Sequence, residues 1–241
     1  MSRIILKGMK SIRNHRNRGF SLVELLVGVA IGALFVGMGI PGIQGAMKRA
    51  KQAGCASNMR QIGQGILLYA GENNERLPSI NCVNPDTTWI EQLQPYLGTN
   101  YTHVRVCPAD PRAAEKKKSA HGTSYVMNER VEPASFTDSR GRLLPGAVVF
   151  DRLIRIPQPS RVILMFVDQP RGEDRDHMHV AALTSWNGVR NEIWVDPFGP
   201  KSTDGTAGSS NYLFADGRVE SIAARTVKER VDRGEDISKA F

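Results

Sequence analysis

The residues best suited to chemistry lie near the N-terminus, in the run Arg18-Gly19-Phe20-Ser21-Leu22-Val23-Glu24. A protease that cuts after Gly19 benefits from a residue without a side chain, because the backbone can then enter the active site freely. Such a cut leaves Phe20 as a new amine terminus. Glu24 follows four residues later, and a helix brings its carboxylate onto the same face as that amine. The spacing predicts a processing site, and the alternative is an ordinary signal anchor with an incidental glutamate.

The charge and hydropathy around this site predict how it is positioned. Residues 1–19 carry six Lys or Arg and no acid, and they account for all but +2 of the formal net charge of +8. The basic composition therefore does not indicate a nucleic-acid partner. The stretch Leu25–Ile43 has no charged residue, and about 20 apolar residues span a bilayer. A basic segment before an apolar one is typical of membrane insertion with the cations kept in the cytoplasm.

The apolar run continues into an amphipathic pattern. Cys55, Met59, Ile62, Ile66 and Tyr69 recur at steps of four, three, four and three, which is one face of a helix. The sequence thus predicts a basic leader over 1–19, one long helix over 20–76 with a membrane span at about 22–45, and a globular head over 77–241. A proline at position 41 is expected to kink or locally melt that helix.

The head is predicted to be α+β, with the long helix packed on a small antiparallel sheet. A short helix is expected over 88–97. Asp216-Gly217 suits a type I′ turn between two strands. The segments 110–122, 133–147 and 169–210 are expected to be surface loops, with Glu115-Lys116-Lys117-Lys118 as a solvated tip. The predicted strands are Val104–Cys107, Ser124–Met127, Arg161–Val167, Asn211–Ala215 and Arg218–Ile222.

Three cysteines leave at least one thiol unpaired within the chain. Their spacing fits no common zinc pattern. In an oxidising compartment Cys82 and Cys107 are candidates for a disulfide, and buried free thiols are the alternative.

The head offers weak candidates for metal binding and none for catalysis. His177 and His179 form one HxH pair without a defined third ligand. Asp204 and Asp216 are weak candidates for calcium, because their spacing lacks an EF-hand pattern and turn formation accounts for both. No nucleophile motif of the G-x-S-x-G type is present. The chain is therefore expected not to be an enzyme and not to need a cofactor.

The N-terminal run resembles the processing site of type IV prepilins and of type II secretion pseudopilins. In that family prepilin peptidase cuts after the glycine and N-methylates the next residue, here Phe20. Glu24 matches the glutamate that pairs with the amine of a neighbouring subunit during filament assembly. The resemblance implies a pilin-like fold, with prepilin peptidase, other pilin-like subunits and inner-membrane lipid as partners. It also implies a single-pass protein of the bacterial inner membrane, with its head in the periplasm or outside the cell.

Parts of the head resemble a large pseudopilin-like family of planctomycete-type bacteria. Proteins of that group often have a histidine ten residues before the Asp-Gly, and Thr206 takes that place here. The matching segments are Cys55–Gly63, Cys107–Asp110 and Phe214–Gly217.

Two classes of function remain open from the sequence. The first is a structural subunit of a pseudopilus or pilus. The second is a membrane-anchored module that binds a glycan or peptide and uses the leader only for processing. Exposed tryptophans at positions 186 and 194 would favour the second class, whereas buried ones would simply be core.

Overall fold

The computed structural model describes residues 20–80, 88–170 and 174–241, with the backbone alone over residues 34–42. The chain divides into two compact units, residues 1–44 and residues 45–241. In the first unit the described part is the beginning of helix α1, which covers Leu22–Glu72. This helix is continuous through position 41, so the predicted local melting is wrong. The proline removes one amide donor from the helical ladder, and the helix continues beyond it.

The predicted membrane span includes residues of which the structure describes only the backbone. Among the residues that the structure describes, no helix combines the length and the apolar character needed to cross a membrane. The predicted span over 22–45 includes residues 34–42, whose side chains lie outside the described part of the chain. The predicted leader, residues 1–19, lies outside it entirely.

The second unit is α+β, as predicted. Its five-stranded sheet has the order β3-β1-β2-β4-β5. The strands are β1 (Tyr125–Asn128), β2 (Ile163–Val167), β3 (His177–Met178), β4 (Ser209–Phe214) and β5 (Val219–Ala223). The further helices are α2 (Trp89–Leu97), α3 (Tyr101–Val104), α4 (Ala113–Lys116), α5 (Trp186–Glu192) and α6 (Ala224–Asp232).

The sheet is mixed, so the prediction of a purely antiparallel sheet is wrong. The pairs β1–β2, β2–β4 and β4–β5 are antiparallel, but β3 runs parallel to β1. Because β2 runs opposite to β1, a chain that turns back after β2 runs in the direction of β1 again. When that returning chain pairs with the free edge of β1, the pairing is parallel.

One face of the sheet is covered by α1 and α2. The predicted stripe on α1 is confirmed, because Cys55, Met59, Ile62 and Ile66 are all buried, and Tyr69 packs partly buried beside them. The helix predicted over 88–97 is confirmed as α2. It begins with a capping box. The side chain of Thr88 accepts a hydrogen bond from a backbone amide of the helix, and the side chain of Glu91 accepts one from the Thr88 amide.

The opposite face is covered by α5, α6 and the C-terminus. The prediction that segment 169–210 is only a surface loop is wrong, because it contributes strand β3, helix α5 and part of a second apolar core. The buried residues from this segment are Met178, Leu183, Val189, Ile193 and Val195. Phe241 ends the chain against this core, with its ring stacked 6.3 Å from that of Tyr212.

The β4–β5 hairpin is confirmed, but its turn differs from the predicted one. Only Gly217 has a positive φ, of 84°. The Gly217 amide donates to the Phe214 carbonyl at 3.0 Å, and the Phe214 amide donates to the Arg218 carbonyl at 2.8 Å. This is a type I turn followed by a bulge rather than a type I′ turn, which needs two positive φ values. The strand predicted over Val104–Cys107 is also wrong, because α3 ends there and a loop follows.

Candidate processing and assembly site

Helix α1 begins with a capping box made by the residues just after the predicted cleavage point. The Ser21 amide donates to Glu24 Oε2 at 3.0 Å, and the Glu24 amide donates to Ser21 Oγ at 3.1 Å. Each side chain therefore satisfies one amide that the first helical turn leaves unpaired. Phe20, immediately before the cap, is 83% exposed.

The capping box fixes where the Glu24 carboxylate lies. It is drawn back to the first turn of α1, beside the amide of the residue that follows Phe20. A carboxylate is also favourable at a helix N-terminus because of the positive end of the helix dipole. The structure thus holds an anionic group next to the predicted new terminus, while Gly19 lies outside the described residues.

Ser21 belongs to this candidate site and was not predicted from the sequence. The signal for it was present, since Ser21-Leu22-Val23-Glu24 is the S-x-x-E pattern of a capping box before an apolar run. The site predicted from the sequence contains only the Phe20 amine and the Glu24 carboxylate. The backbone amide of Ser21 holds the carboxylate, and the Ser21 hydroxyl accepts from the Glu24 amide.

In the head, the first two sequence segments that resemble the planctomycete-type family meet at α1. The Asn58 side chain donates to the Val106 carbonyl at 3.0 Å, next to Cys107. A Cβ atom at Gly54 would lie 3.2 Å from Cγ of Pro108. Residues separated by about 50 positions are therefore held against one another on both sides of Cys55.

The third segment, Phe214–Gly217, packs on α1 near Gly63, one to two turns beyond Asn58. A Cβ atom at Gly63 would lie 2.8 Å from Cδ1 of Leu213 and 3.7 Å from Cα of Gly217. Glycine at position 63 thus lets the helix approach the β4–β5 turn. Near the other end of β4, the Asn211 side chain donates to the Gln52 carbonyl at 2.9 Å. These motif residues serve the packing of α1 on the sheet.

A buried ionic cluster surrounds Lys116, so the prediction of a solvated tip is wrong for this residue. Its amine lies 3.1 Å from Oδ2 of Asp110 and 3.4 Å from Oδ2 of Asp168. Arg175 Nη2 lies 2.6 Å from Oδ1 of Asp168. Burial raises the pKa of Asp168, although the two nearby cations act against this rise. Lys116 is the last residue of α4, and its side chain turns inward so that its amine meets two carboxylates.

The two histidines of the HxH pair have separate carboxylate partners. His177 Nδ1 lies 2.7 Å from Asp176, and His179 Nδ1 lies 3.3 Å from Glu192. The two rings meet edge to face, with centroids 5.0 Å apart. Within residues 20–80, 88–170 and 174–241, no group of three or more His, Cys, Asp or Glu is arranged to hold a metal ion.

The two calcium candidates lie in different turns. The Asp204 carboxylate accepts from the hydroxyl and the amide of Thr206. Oδ1 of Asp216 accepts from the Arg218 amide at 3.0 Å, within the β4–β5 turn. Both carboxylates therefore shape their own turns, which is the alternative that the sequence analysis preferred.

Cys55 and Cys107 are buried free thiols that lie in the same apolar core. The interaction between the two thiols raises the pKa of Cys107 and lowers that of Cys55. The Tyr125 hydroxyl also donates to Cys55 Sγ at 3.6 Å. Cys82 lies outside the described residues, so its predicted pairing with Cys107 stays a prediction.

Comparison with known proteins bears on the N-terminal site. Residues 14–40 match the family model described as the prokaryotic N-terminal methylation motif. This motif is the signature of type IV prepilin and pseudopilin-like proteins, and it indicates a substrate of prepilin peptidase. The match covers Gly19, Phe20, Ser21 and Glu24 together. No curated protein and no solved structure gives a significant match.

Proposed function

We propose that this protein is a structural subunit of a pseudopilus or pilus, in a type II secretion or type IV pilus-like system. Prepilin peptidase cuts between Gly19 and Phe20 and methylates the new amine. The N-terminal part of α1 holds the subunit in the bacterial inner membrane as a single pass, with the head in the periplasm or outside the cell. Glu24 then pairs with the Phe20 amine of a neighbouring subunit.

The capping box within the methylation motif carries this proposal. It holds a carboxylate at the start of α1, on the side of the helix end where the new amine forms. In a membrane of low dielectric an opposite charge attracts this carboxylate far more strongly than in water. A helix with both groups at its end therefore offers a donor and an acceptor for the next subunit.

The packing of the two tryptophans favours a structural subunit over an anchored binding module. Both side chains are partly buried, Trp194 against the first core and Trp186 against the second. The Trp186 indole also donates to the Asp204 carbonyl at 2.8 Å. Both rings therefore contribute to the packing of the head, which is the role expected of tryptophans in a structural subunit.

The proposal is tested by separating the charge of Glu24 from its role as a cap. Glutamine at the same position can still accept from the Ser21 amide, because the capping box accepts Glu or Gln. Glu24→Gln should therefore keep the helix start, cleavage and membrane residence. It should reduce incorporation into fibres by tenfold or more, because the neighbouring amine loses its buried partner. Incorporation is measured by crosslinking in cells that also express the wild-type subunit.

Ser21→Ala is the matched control. It removes the acceptor for the Glu24 amide but keeps the carboxylate, at a cost of about 1 kcal/mol of helix stability. Its incorporation should stay within about twofold of wild type. Equal incorporation of both variants and wild type would make the anchored binding module the better interpretation. A loss for Ser21→Ala as large as that for Glu24→Gln would show that the cap matters and the charge does not.

A further inference from the structure

We propose that Cys55 and Cys107 form a disulfide in the exported protein. The bond would join α1 to the loop between α3 and α4. Both cysteines are buried free thiols, and both side chains belong to one apolar core. This inference rests on the proposed location of the head outside the cytoplasm, because only an oxidising compartment maintains such bonds.

Contacts on both sides of the cysteines hold the two backbones together. One turn after Cys55 on α1, the Asn58 side chain donates to the carbonyl of Val106, which precedes Cys107. One residue before Cys55, Gly54 packs against the ring of Pro108, which follows Cys107. A Cβ atom at position 54 would lie 3.2 Å from Cγ of that ring. Contacts on both flanks keep the two backbones close to each other at these positions, and a disulfide requires such closeness.

The surroundings of the two sulfurs also suit a disulfide. Both side chains are fully buried, in the same apolar core. Their polar neighbours donate to sulfur, the Tyr125 hydroxyl to Cys55 and the Ala109 amide to Cys107 at 3.4 Å. These donors need only an acceptor, and a disulfide sulfur remains one. Oxidation therefore leaves neither donor without its partner.

The oxidation is a two-step thiol–disulfide exchange with a dithiol–disulfide oxidoreductase. The thiolate of Cys55 or Cys107 attacks the disulfide of the oxidoreductase, forming a mixed disulfide and releasing one thiolate. The second cysteine, as thiolate, then attacks the sulfur of the first and releases the other thiolate of the oxidoreductase. The pair loses two protons and two electrons, which reduce the oxidoreductase. Because both sulfurs are buried in the fold, this exchange takes place before the head is fully folded.

Peptide mapping tests the pairing, because trypsin leaves each cysteine on a different peptide. Cys55 lies in 52–60, Cys82 in 77–105 and Cys107 in 106–112. The full-length protein from its host is unfolded, alkylated without reductant and digested. We expect peptides 52–60 and 106–112 to be joined, and to separate on reduction, with Cys82 alkylated. A link that contains peptide 77–105 would overturn the proposal.

A second sample separates a wrong pairing from a wrong location. The full-length protein is reduced, unfolded and refolded in detergent with a glutathione redox buffer, and is then mapped in the same way. The 52–60 to 106–112 link should form here too. If it forms only in this sample, the native disulfide and the extracytoplasmic location both fail. If another link or none forms in this sample, the pairing is wrong and the proposed function stands.

The thermal stability of variants gives an independent measurement. The bond closes a loop of about 50 residues, so oxidation should raise Tm by roughly 10 °C. Cys82→Ala is the matched control and should keep this difference between oxidised and reduced protein. Cys107→Ala should abolish it. A difference that persists in Cys107→Ala, or disappears in Cys82→Ala, would contradict the proposed bond.

Discussion

Replacement of Lys116 by methionine tests the buried ionic cluster most directly. Methionine keeps much of the apolar length of the side chain and removes the amine. The two facing carboxylates are almost fully buried, with 1% exposure for Asp110 and 0% for Asp168. Asp168 keeps Arg175 at 2.6 Å. Asp110 keeps two neutral donors, the Ser124 hydroxyl at 2.6 Å and the Arg112 amide at 2.8 Å.

We expect the free energy of unfolding to fall, because a buried carboxylate remains without the cation that faced it. Removing one partner of a buried ion pair costs about 3–5 kcal/mol, because the remaining charge stays desolvated. For a folded unit of about 200 residues this lowers Tm by roughly 10 °C. Thermal unfolding followed by circular dichroism measures it, on the full-length protein in a mild detergent. Lys118→Met is the control, because Lys118 is exposed and the net charge changes equally.

The stability difference between wild type and Lys116→Met should change with pH in a defined direction. Burial already raises the pKa of Asp168, and Lys116 is one of the cations that oppose the rise. Without Lys116 the pKa of Asp168 in the folded state should rise further. A carboxyl whose pKa is higher in the folded state favours folding at low pH and loses that contribution as the pH rises through its folded pKa. The stability difference between wild type and Lys116→Met should therefore be smaller at pH 5 than at pH 8.

Two results would refute this reasoning. One is a Lys116→Met protein as stable as the Lys118→Met control, which would mean that the amine is not buried between the carboxylates. The other is a loss of equal size at pH 5 and pH 8, which would attribute the effect to packing rather than to charge.

Mass spectrometry of the mature protein should find methylated Phe20 at the N-terminus, because residues 14–40 carry the methylation motif; an intact leader in cells with active prepilin peptidase would contradict this. A fragment of residues 45–241 should be soluble and monomeric and unfold in one cooperative transition on heating, because both apolar cores lie within it. Calorimetry and size-exclusion chromatography measure this, and an insoluble or non-cooperative fragment would show that the head depends on the N-terminal segment.

Long periodic elements of this fold could be predicted from the sequence. The stripe on α1 repeats over four turns, so its buried face was determined by spacing alone. The β4–β5 hairpin was marked by Asp216-Gly217, although the turn type was wrong because only the glycine takes a positive φ. At the N-terminus, the chemistry of Phe20 and Glu24 was apparent, and the role of Ser21 was missed.

The remaining features depend on tertiary packing that no local pattern reveals. Strand β3 has two residues and helix α5 has seven, too few for periodicity to identify them. Val104–Cys107 is apolar enough for a strand, yet its burial comes from packing against α1. In the run of three lysines, nothing in the sequence indicates that Lys116 alone turns inward. That choice depends on Asp110 and Asp168, which lie six and 52 residues away.

The packing of α1 on the β4–β5 hairpin has a consequence for the order in which the head folds. Helix α1 is synthesised first, and Gln52 bonds to residues 159 and 169 positions later in the chain. Contacts between such distant residues form slowly, because a long loop must close before they repay its entropy. The apolar stripe of α1 therefore stays exposed until almost the whole chain has been synthesised and Leu213 can pack on it. During that interval the stripe is open to association with other unfinished chains.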